Sequence, residues 1–407
     1  MINIFKSLRH KNYRLFFFTQ FVSVAGTWLQ MTAMPWLVYK MTNSAFLLGL
    51  IAFLSQIFIL LLAPIAGTIA DQYDKKKLLM ITQILSMLQA LIIAALVLTG
   101  SVQLWHIIAL SIFLSIVNAF DMPIRQSFIV QMVGKEDLMN AIGLNSFIFN
   151  SGRVIGPAIA GVLIATTGEG ICFLLNGISF IAIIIALYYI KPEFHLNNRE
   201  NGLQERGIFD RFILGYKYVR GSKQIFPLLV LLSITGMTGM FPMTLMPIIV
   251  KDIYKMGPSG LGFLLAAMGI GALLGTAYIT LKRNTDNIVK TIYISASAFA
   301  VLITLFGLIE STPAAVILLV AIGYFLVLQM ALTNTFVQLS VSDEMRGRVM
   351  GFFVMAFIGF APIGSFLAGV FAHQFGAQAS MAIGGVISII AAIVLRKKIL
   401  MPVMSNG

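Results

Sequence analysis

About twelve apolar runs, each near or above 20 residues, follow one another along this 407-residue chain. A backbone buried in hydrocarbon has no water to bond with, so runs of this length fold as membrane-spanning helices. Charged residues and Gly/Pro breaks place them at about 13–37, 45–70, 78–99, 104–124, 139–165 and 171–190, and then at about 225–250, 260–281, 288–309, 314–336, 348–372 and 379–395. Hydrophobic residues make up 59% of the chain and charged residues 11%, with a mean hydropathy of +0.94. No soluble core needs so much apolar surface.

The second constraint is a duplication. Met31, Thr32, Met34, Pro35 and Val38 recur 212 positions later as Met243, Thr244, Met246, Pro247 and Val250. Glu136, Gly143, Gly156, Ala160 and Gly161 recur 208 positions later as Glu344, Gly351, Gly364, Ala368 and Gly369. Ordered matches at near-constant offset predict two pseudo-symmetric six-helix bundles, residues 1–190 and 224–407, in an all-α membrane protein. Such repeated halves are the build of secondary transporters, with the substrate site at the midplane. Between them, residues 191–223 form a polar linker in which Ile208, Phe209, Phe212, Ile213, Tyr216 and Val219 share one helical face. That pattern predicts a helix lying on the membrane interface, acting as a connector.

The net charge of +13 raises the question of nucleic acid, and the distribution of charge answers it. Lys6, Arg9, Lys11 and Arg14 precede the first span, Lys75, Lys76 and Lys77 follow the second, and Arg396, Lys397 and Lys398 follow the last. With both termini cytoplasmic, the outer loops hold only Lys40, Lys251 and Lys255, and Arg153 lies within a span. This is the positive-inside asymmetry of a multi-pass protein, and no nucleic-acid partner is needed to explain it. The first span lacks a cleavage site and is expected to remain as a helix. Cys172 is the one cysteine, and the chain has no phosphate-binding GxxxxGK[ST] loop and no HExxH pair. An enzyme, a metal site and a cofactor are therefore not expected, and any work must draw on a gradient.

Several polar residues stand out against this apolar background. Gly67 permits close helix approach, and Asp71, near the C-terminal end of the second span and facing the negative pole of its own helix, needs a partner elsewhere. Arg153 lies deep in the fifth span, where a charge is costly and marks a functional site by default. Asp121 in the fourth span is its nearest acid in depth; a cavity contact and a structural pair between the two spans are both open. Asn145 and Phe149 share the arginine's face, while Gln20, Ser23, Thr27 and Gln30 form a polar stripe on the first span that does not suit lipid. Met34 and its neighbour Met31 offer an adaptable apolar surface. Gly143, Gly152, Gly156 and Gly161 give the fifth span a small-residue face, and Pro157 bends it.

The segment Gly67-Thr68-Ile69-Ala70-Asp71-Gln72-Tyr73-Asp74-Lys75-Lys76-Lys77 resembles motif A of the major facilitator superfamily, although the family usually has glycine where this chain has Asp74. The resemblance implies a conformational latch made of Gly67, Asp71, Lys75, Lys76 and Lys77, joined to a charge relay through Asp121 and Arg125. The second half lacks the glycine-aspartate pair around Lys282 and Arg283. Gly143, Gly152, Gly156, Pro157 and Gly161 resemble motif C of the family's exporters, with Ala160 replacing one closing glycine. The opening Ser7 to Phe16, the Asp121 segment and Asn140 to Ser146 resemble the branch that contains the enterobactin exporter and macrolide-efflux-like proteins.

The function implied is secondary active export of a siderophore or amphipathic small molecule across a bacterial inner membrane, by alternating access and proton antiport. Arg153, Asn145, Phe149, Gln20, Thr27, Gln30 and Met34 are expected at the substrate and coupling cavity. The expected partners are the small-molecule substrate, protons and membrane lipid, with a monomer sufficient for the fold. The first span contains no acid, so Asp121 or His106 must serve if a proton is carried. A lipid flippase or scramblase and a non-transporting membrane sensor on the same fold are the alternatives.

Overall fold

The computed structural model describes residues 5–134, 136–191, 208–281 and 287–400. A 3-10 turn (Lys6–Arg9) leads into α1 (Lys11–Thr42), α2 (Ala45–Gln72), α3 (Lys75–Leu98), α4 (Leu104–Val133), α5 (Leu138–Thr167) and α6 (Glu169–Tyr189). A shorter α7 (Ile208–Gly221) follows, and then α8 (Ile225–Ile248), α9 (Pro258–Leu281), α10 (Ile288–Phe306), α11 (Thr312–Ser340), α12 (Asp343–Val354), α13 (Ala361–Phe375) and α14 (Ala377–Leu400). Among the described residues, eleven stretches are helical, long and apolar enough to cross a membrane, with α12 and α13 counting as one. The 32-residue α1 is long enough to be the twelfth, its apolar character diluted by Gln20, Ser23, Thr27 and Gln30. The eleventh predicted span is not one smooth helix, because a π turn at Met355–Gly359 separates α12 from α13. A second π turn, Ile249–Ile253, extends α8 just beyond Pro247.

The repeat is visible in the helix starts. α4 begins at Leu104 and α11 at Thr312, α6 at Glu169 and α14 at Ala377, each pair 208 positions apart as the sequence matches predict. Two compact units result, the first of residues 1–200 with Lys255–Ala266 and the second of Asn201–Tyr254 with Ala267–Gly407. The opening of α9 packs with the first unit.

In the first unit α1 packs along α5 and α6, α2 along α4, and α3 along α4 and α6. Tyr13, Phe16, Leu79, Phe128, Met132, Ile148 and Ile183 fill its core at one end. Buried amides tie three helices together farther along: Asn176 Nδ2 donates to Gln30 Oε1 at 2.8 Å, and Gln30 Nε2 to Gln89 Oε1 at 3.0 Å. Gly26 makes this possible, since a Cβ there would lie 2.9 Å from Asn176 Oδ1. Lys40 Nζ reaches both carboxylate oxygens of Glu169, at 3.0 and 3.2 Å, where the acid also sits in the first turn of α6 and favours the helix dipole.

In the second unit α8 packs along α13 and α14, and α10 along α11 and α14. Backbones approach without intervening side chains where Gly364 meets Met237, Gly323 meets Met268, and Gly271 and Gly275 meet Val320 and Tyr324. Thr238 and Ser388 hydroxyls pair at 2.7 Å between α8 and α14. The helix predicted in the linker forms as α7 and uses part of its apolar face within this unit: Phe212 and Tyr216 lie against Phe352, and Val219 is buried beside Val349 and Phe353. Residues 192–207 of the linker lie outside the described residues.

The chain's opening turn clips onto the start of α5. Ser7 is fully buried; its N–H donates to Asn140 Oδ1 at 2.8 Å and its hydroxyl to the Asp137 carbonyl at 2.9 Å. Lys6 Nζ and His10 Nε2 hold the two oxygens of the Asp137 carboxylate at 2.7 and 2.9 Å. Tyr13 completes the contact with a 2.9 Å bond to the Ala141 carbonyl. Hydrogen bonds from Lys6, then from His10, keep the Asp137 carboxyl below its ordinary value of 3.8. A lowered pKa means that the carboxylate's contribution is complete above that ordinary value and is lost only as pH falls through the depressed one. Asp137→Asn is accordingly expected to release the opening turn, seen as several-fold faster tryptic cleavage after Arg9 at neutral pH; an unchanged rate would show that this carboxylate does not hold the clip.

Candidate functional site

A single carboxylate in the middle of α4 gathers the polar groups of three helices. Thr82 Oγ1 and Gln83 Nε2, from α3, donate to Asp121 Oδ1 at 2.7 and 2.6 Å. Arg125, one turn on in α4, donates to Asp121 Oδ2 from Nε at 2.9 Å and from a terminal nitrogen at 2.5 Å. The other end of the Arg125 fork donates to Gln20 Oε1 of α1. Acid and base are both largely enclosed, with 12% and 13% of their side chains exposed. Five side chains are therefore joined by hydrogen bonds about 18 Å inside the helix end at Val133, with Gln83 Oε1 buried and unpartnered among the described residues. Thr82 and Gln83 were not among the sequence candidates; their signal was present in the polar residues Thr82, Gln83, Ser86 and Gln89 that interrupt this apolar span.

This arrangement bears on the two alternatives left open for Arg153. Asp121 does not pair with Arg153: its bonds go to Thr82, Gln83 and Arg125, and no hydrogen bond or ion pair from the described residues engages Arg153. The fork of an arginine one helical turn away on the same helix reaches the acid first. Arg153 stands at the middle of the 30-residue α5, partly buried. Its face also carries Asn145, partly buried, and Phe149, 44% exposed. Ser146 and Asn150, which sequence reasoning passed over, flank the same stripe, but each donates to α5's own carbonyls, at Ile142 and Ser146.

The remaining cavity candidates divide. Gln20 and Gln30 turn into the first unit, Gln20 toward Arg125 and Gln30 toward Gln89 and Asn176, so neither lines an open surface. Thr27 bonds back to the Ser23 carbonyl at 3.0 Å, and Met34 is partly buried. His106 accepts from the Gln103 N–H at 3.0 Å and caps the start of α4, far from Asp121 along the helix.

The glycines of α5 have distinct uses. The Trp28 side chain of α1 occupies the notch left by Gly152 and Gly156, where a Cβ on Gly152 would overlap the indole and one on Gly156 the Trp28 Cβ. Gly161 faces the opening of α9, and a Cβ there would lie 2.9 Å from Gly262 Cα. The Pro157 carbonyl lies against the same Gly262. Gly143 has open space around it, so packing among the described residues does not require a glycine there. Trp28 and Gly262 are the partners that the motif alone does not reveal.

Of the expected latch, Gly67 and Asp71 lie on the last turns of α2, and their side-chain surroundings fall outside the described residues. Asp74 caps α3 by accepting from the Lys77 N–H at 3.0 Å. Lys75 is buried, Lys77 is exposed, and Lys76 donates to the Tyr188 and Ile190 carbonyls at 3.0 and 2.7 Å, satisfying the free C-terminal end of α6. Asp121 and Arg125 are thus brought together, while Lys76 is held on a different helix.

The chain matches a family described as transmembrane secretion effector over residues 2–406. It is 29% identical over 380 residues to the Staphyloferrin A transporter of Staphylococcus aureus, covering 92% of this chain and 93% of that one. It is 26% identical over 381 residues to the Multidrug efflux pump Tap of Mycolicibacterium fortuitum, covering 90% of each. Identity to the Enterobactin exporter EntS of Shigella boydii is 24% over 372 residues, covering 91% and 87%. Among solved structures, the nucleoside transporter NupG shares the fold with a TM-score of 0.74 at 14% identity, over 96% of this chain and 100% of that one.

The Trp28 notch yields a direct test of the α5 geometry. Gly152→Leu is expected to cost about 1–3 kcal/mol through overpacking, measured as a lower unfolding midpoint of the detergent-purified protein. Trp28→Ala in the same chain should recover much of that loss, and additive effects of the two changes would show that they do not meet.

Proposed function

Because this chain belongs to the transmembrane secretion effector family of the major facilitator superfamily, we propose that it is a proton-coupled exporter of a siderophore or amphipathic small molecule. It would work in a bacterial inner membrane with both termini cytoplasmic, as a monomer surrounded by lipid. That it is a multi-pass membrane transporter rather than an enzyme follows from the family and the relatives. The names of those relatives support the choice of siderophores and drugs as cargo classes.

The observation that carries the coupling is the Asp121 cluster. Among the described spans it holds the one interior carboxylate, and it is bound by donors from α3 and by Arg125, which in turn grips α1. Protonation of Asp121 would remove the charge that holds the Arg125 fork. The Arg125 link to Gln20 would then be free to reorganise, giving α1 and α4 two alternative arrangements. A proton would thereby bias the equilibrium between access states, as alternating access requires. Asp71 with Lys75, Lys76 and Lys77 would act as the latch where α2 ends and α3 begins, with Gly67 admitting the neighbouring helix. Arg153, with Asn145, Phe149 and Met34, would meet the cargo. The glycines and Pro157 of α5 would let that helix press closely on α1 and α9 as the states exchange.

Inverted membrane vesicles test this reading, with enterobactin and ethidium as probes. An imposed acidic lumen should drive probe accumulation, nigericin should abolish it, and Asp121→Asn should reduce it to the level of vesicles lacking the protein. Equal accumulation with and without the pH gradient would remove proton coupling, and no accumulation of either probe would remove these cargo classes.

A further inference from the structure

The charges inside the first unit do not balance. Arg125 and Arg153 are the cations in the middle reaches of α4 and α5, and Asp121 is the one carboxylate available at that depth. Asp121 is committed to Arg125 through two bonds, at 2.9 and 2.5 Å, and to Thr82 and Gln83 through two more. Of the other acids whose side chains are described in this unit, Asp137 holds Lys6 and His10, Glu169 holds Lys40, Asp74 caps α3, and Glu136 is exposed between α4 and α5. Arg153 is left as a mid-membrane cation with no bonded partner among the described residues. A guanidinium cannot face acyl chains without a heavy penalty, so this side of α5 borders water or cargo.

Its neighbours define what would neutralise it. Ser146 and Asn150 spend their donors on α5's own carbonyls, which leaves the five-donor fork of Arg153 as the feature that selects. Phe149, one turn earlier on the same side and 44% exposed, offers an aromatic platform. The planar fork matches a carboxylate in bidentate fashion, and the ring beside it accepts an apolar body. From this we infer that the cargo is an organic anion, an amphipathic molecule whose carboxylate pairs with Arg153 while its apolar part lies on Phe149. The inference rests on the export reading above and narrows it, setting anions apart from the cationic amphiphiles typical of drug efflux.

Two fluorophores on the same xanthene skeleton separate the charges: carboxyfluorescein as the anion and rhodamine 123 as the cation. Binding is read by fluorescence anisotropy on the purified full-length protein, which needs no transport. Carboxyfluorescein is expected to bind the unaltered chain more tightly than rhodamine 123, and Arg153→Gln to weaken it by about ten- to a hundredfold. Arg153→Lys, which keeps the charge without the fork, should restore part of the loss, and Arg153→Glu should reverse the preference toward rhodamine 123. Loss of carboxyfluorescein binding in a variant that still binds rhodamine 123 also shows that the variant is folded. The inference is overturned if carboxyfluorescein does not bind, if it binds Arg153→Gln as well as the unaltered protein, or if rhodamine 123 is preferred from the start. Anion binding without movement in inverted vesicles would leave this inference standing and fail the export reading instead.

Discussion

Hydrocarbon offers no solvent to a charge, so each ionised side chain within the spans must be answered by the protein or by something the protein carries. The Asp121–Arg125 pair is the first unit's answer, and much of the polar architecture follows from it. Two side chains of α3 complete one carboxylate oxygen, the arginine completes the other, and the unused end of the fork draws in Gln20 of α1. Three helices are thereby fixed in rotation about their own axes by one electrostatic requirement. Elsewhere the same rule produces smaller solutions, such as the amide chain of Asn176, Gln30 and Gln89, and the lysine that covers the last carbonyls of α6.

The second unit repeats the helices but not the charges. At the position 208 residues after Asp121 stands Gln329, and after Arg125 stands Thr333. Gln329 is fully buried, and neither end of its amide meets a partner among the described residues, while Thr333 bonds to the Gln329 carbonyl at 2.7 Å. A neutral amide can be tolerated where an unpaired charge could not. The duplication thus preserved the helices while leaving the ionisable pair of α4 in one half and neutral polar residues at the matching positions of the other.

The fold was legible because hydropathy and repetition depend only on residue order. Span lengths, the helix in the linker and the 208-residue offset can all be read from the sequence, and the helix starts at Leu104 and Thr312 agree with them. The deep charges were equally visible as residues. Their pairing was not, since Asp121 had candidates on two helices, and a same-helix arginine prevailed through short reach. Gln30 looked like a cavity residue because spacing reports a face without saying what lies opposite; Gln89 and Asn176 turned that face inward. Gly152 and Gly156 advertised a close approach, but only three-dimensional packing identifies Trp28 as the group received.

The clip between the opening turn and α5 has a consequence for biogenesis. Ser7 precedes α1, yet the carbonyl that receives its hydroxyl belongs to Asp137, 130 positions downstream. Four helices must be synthesised and threaded into the bilayer before the acceptor exists. Closure therefore waits for α1 to α4 and fastens the segment ahead of α1 to the fifth helix once the intervening ones are in place.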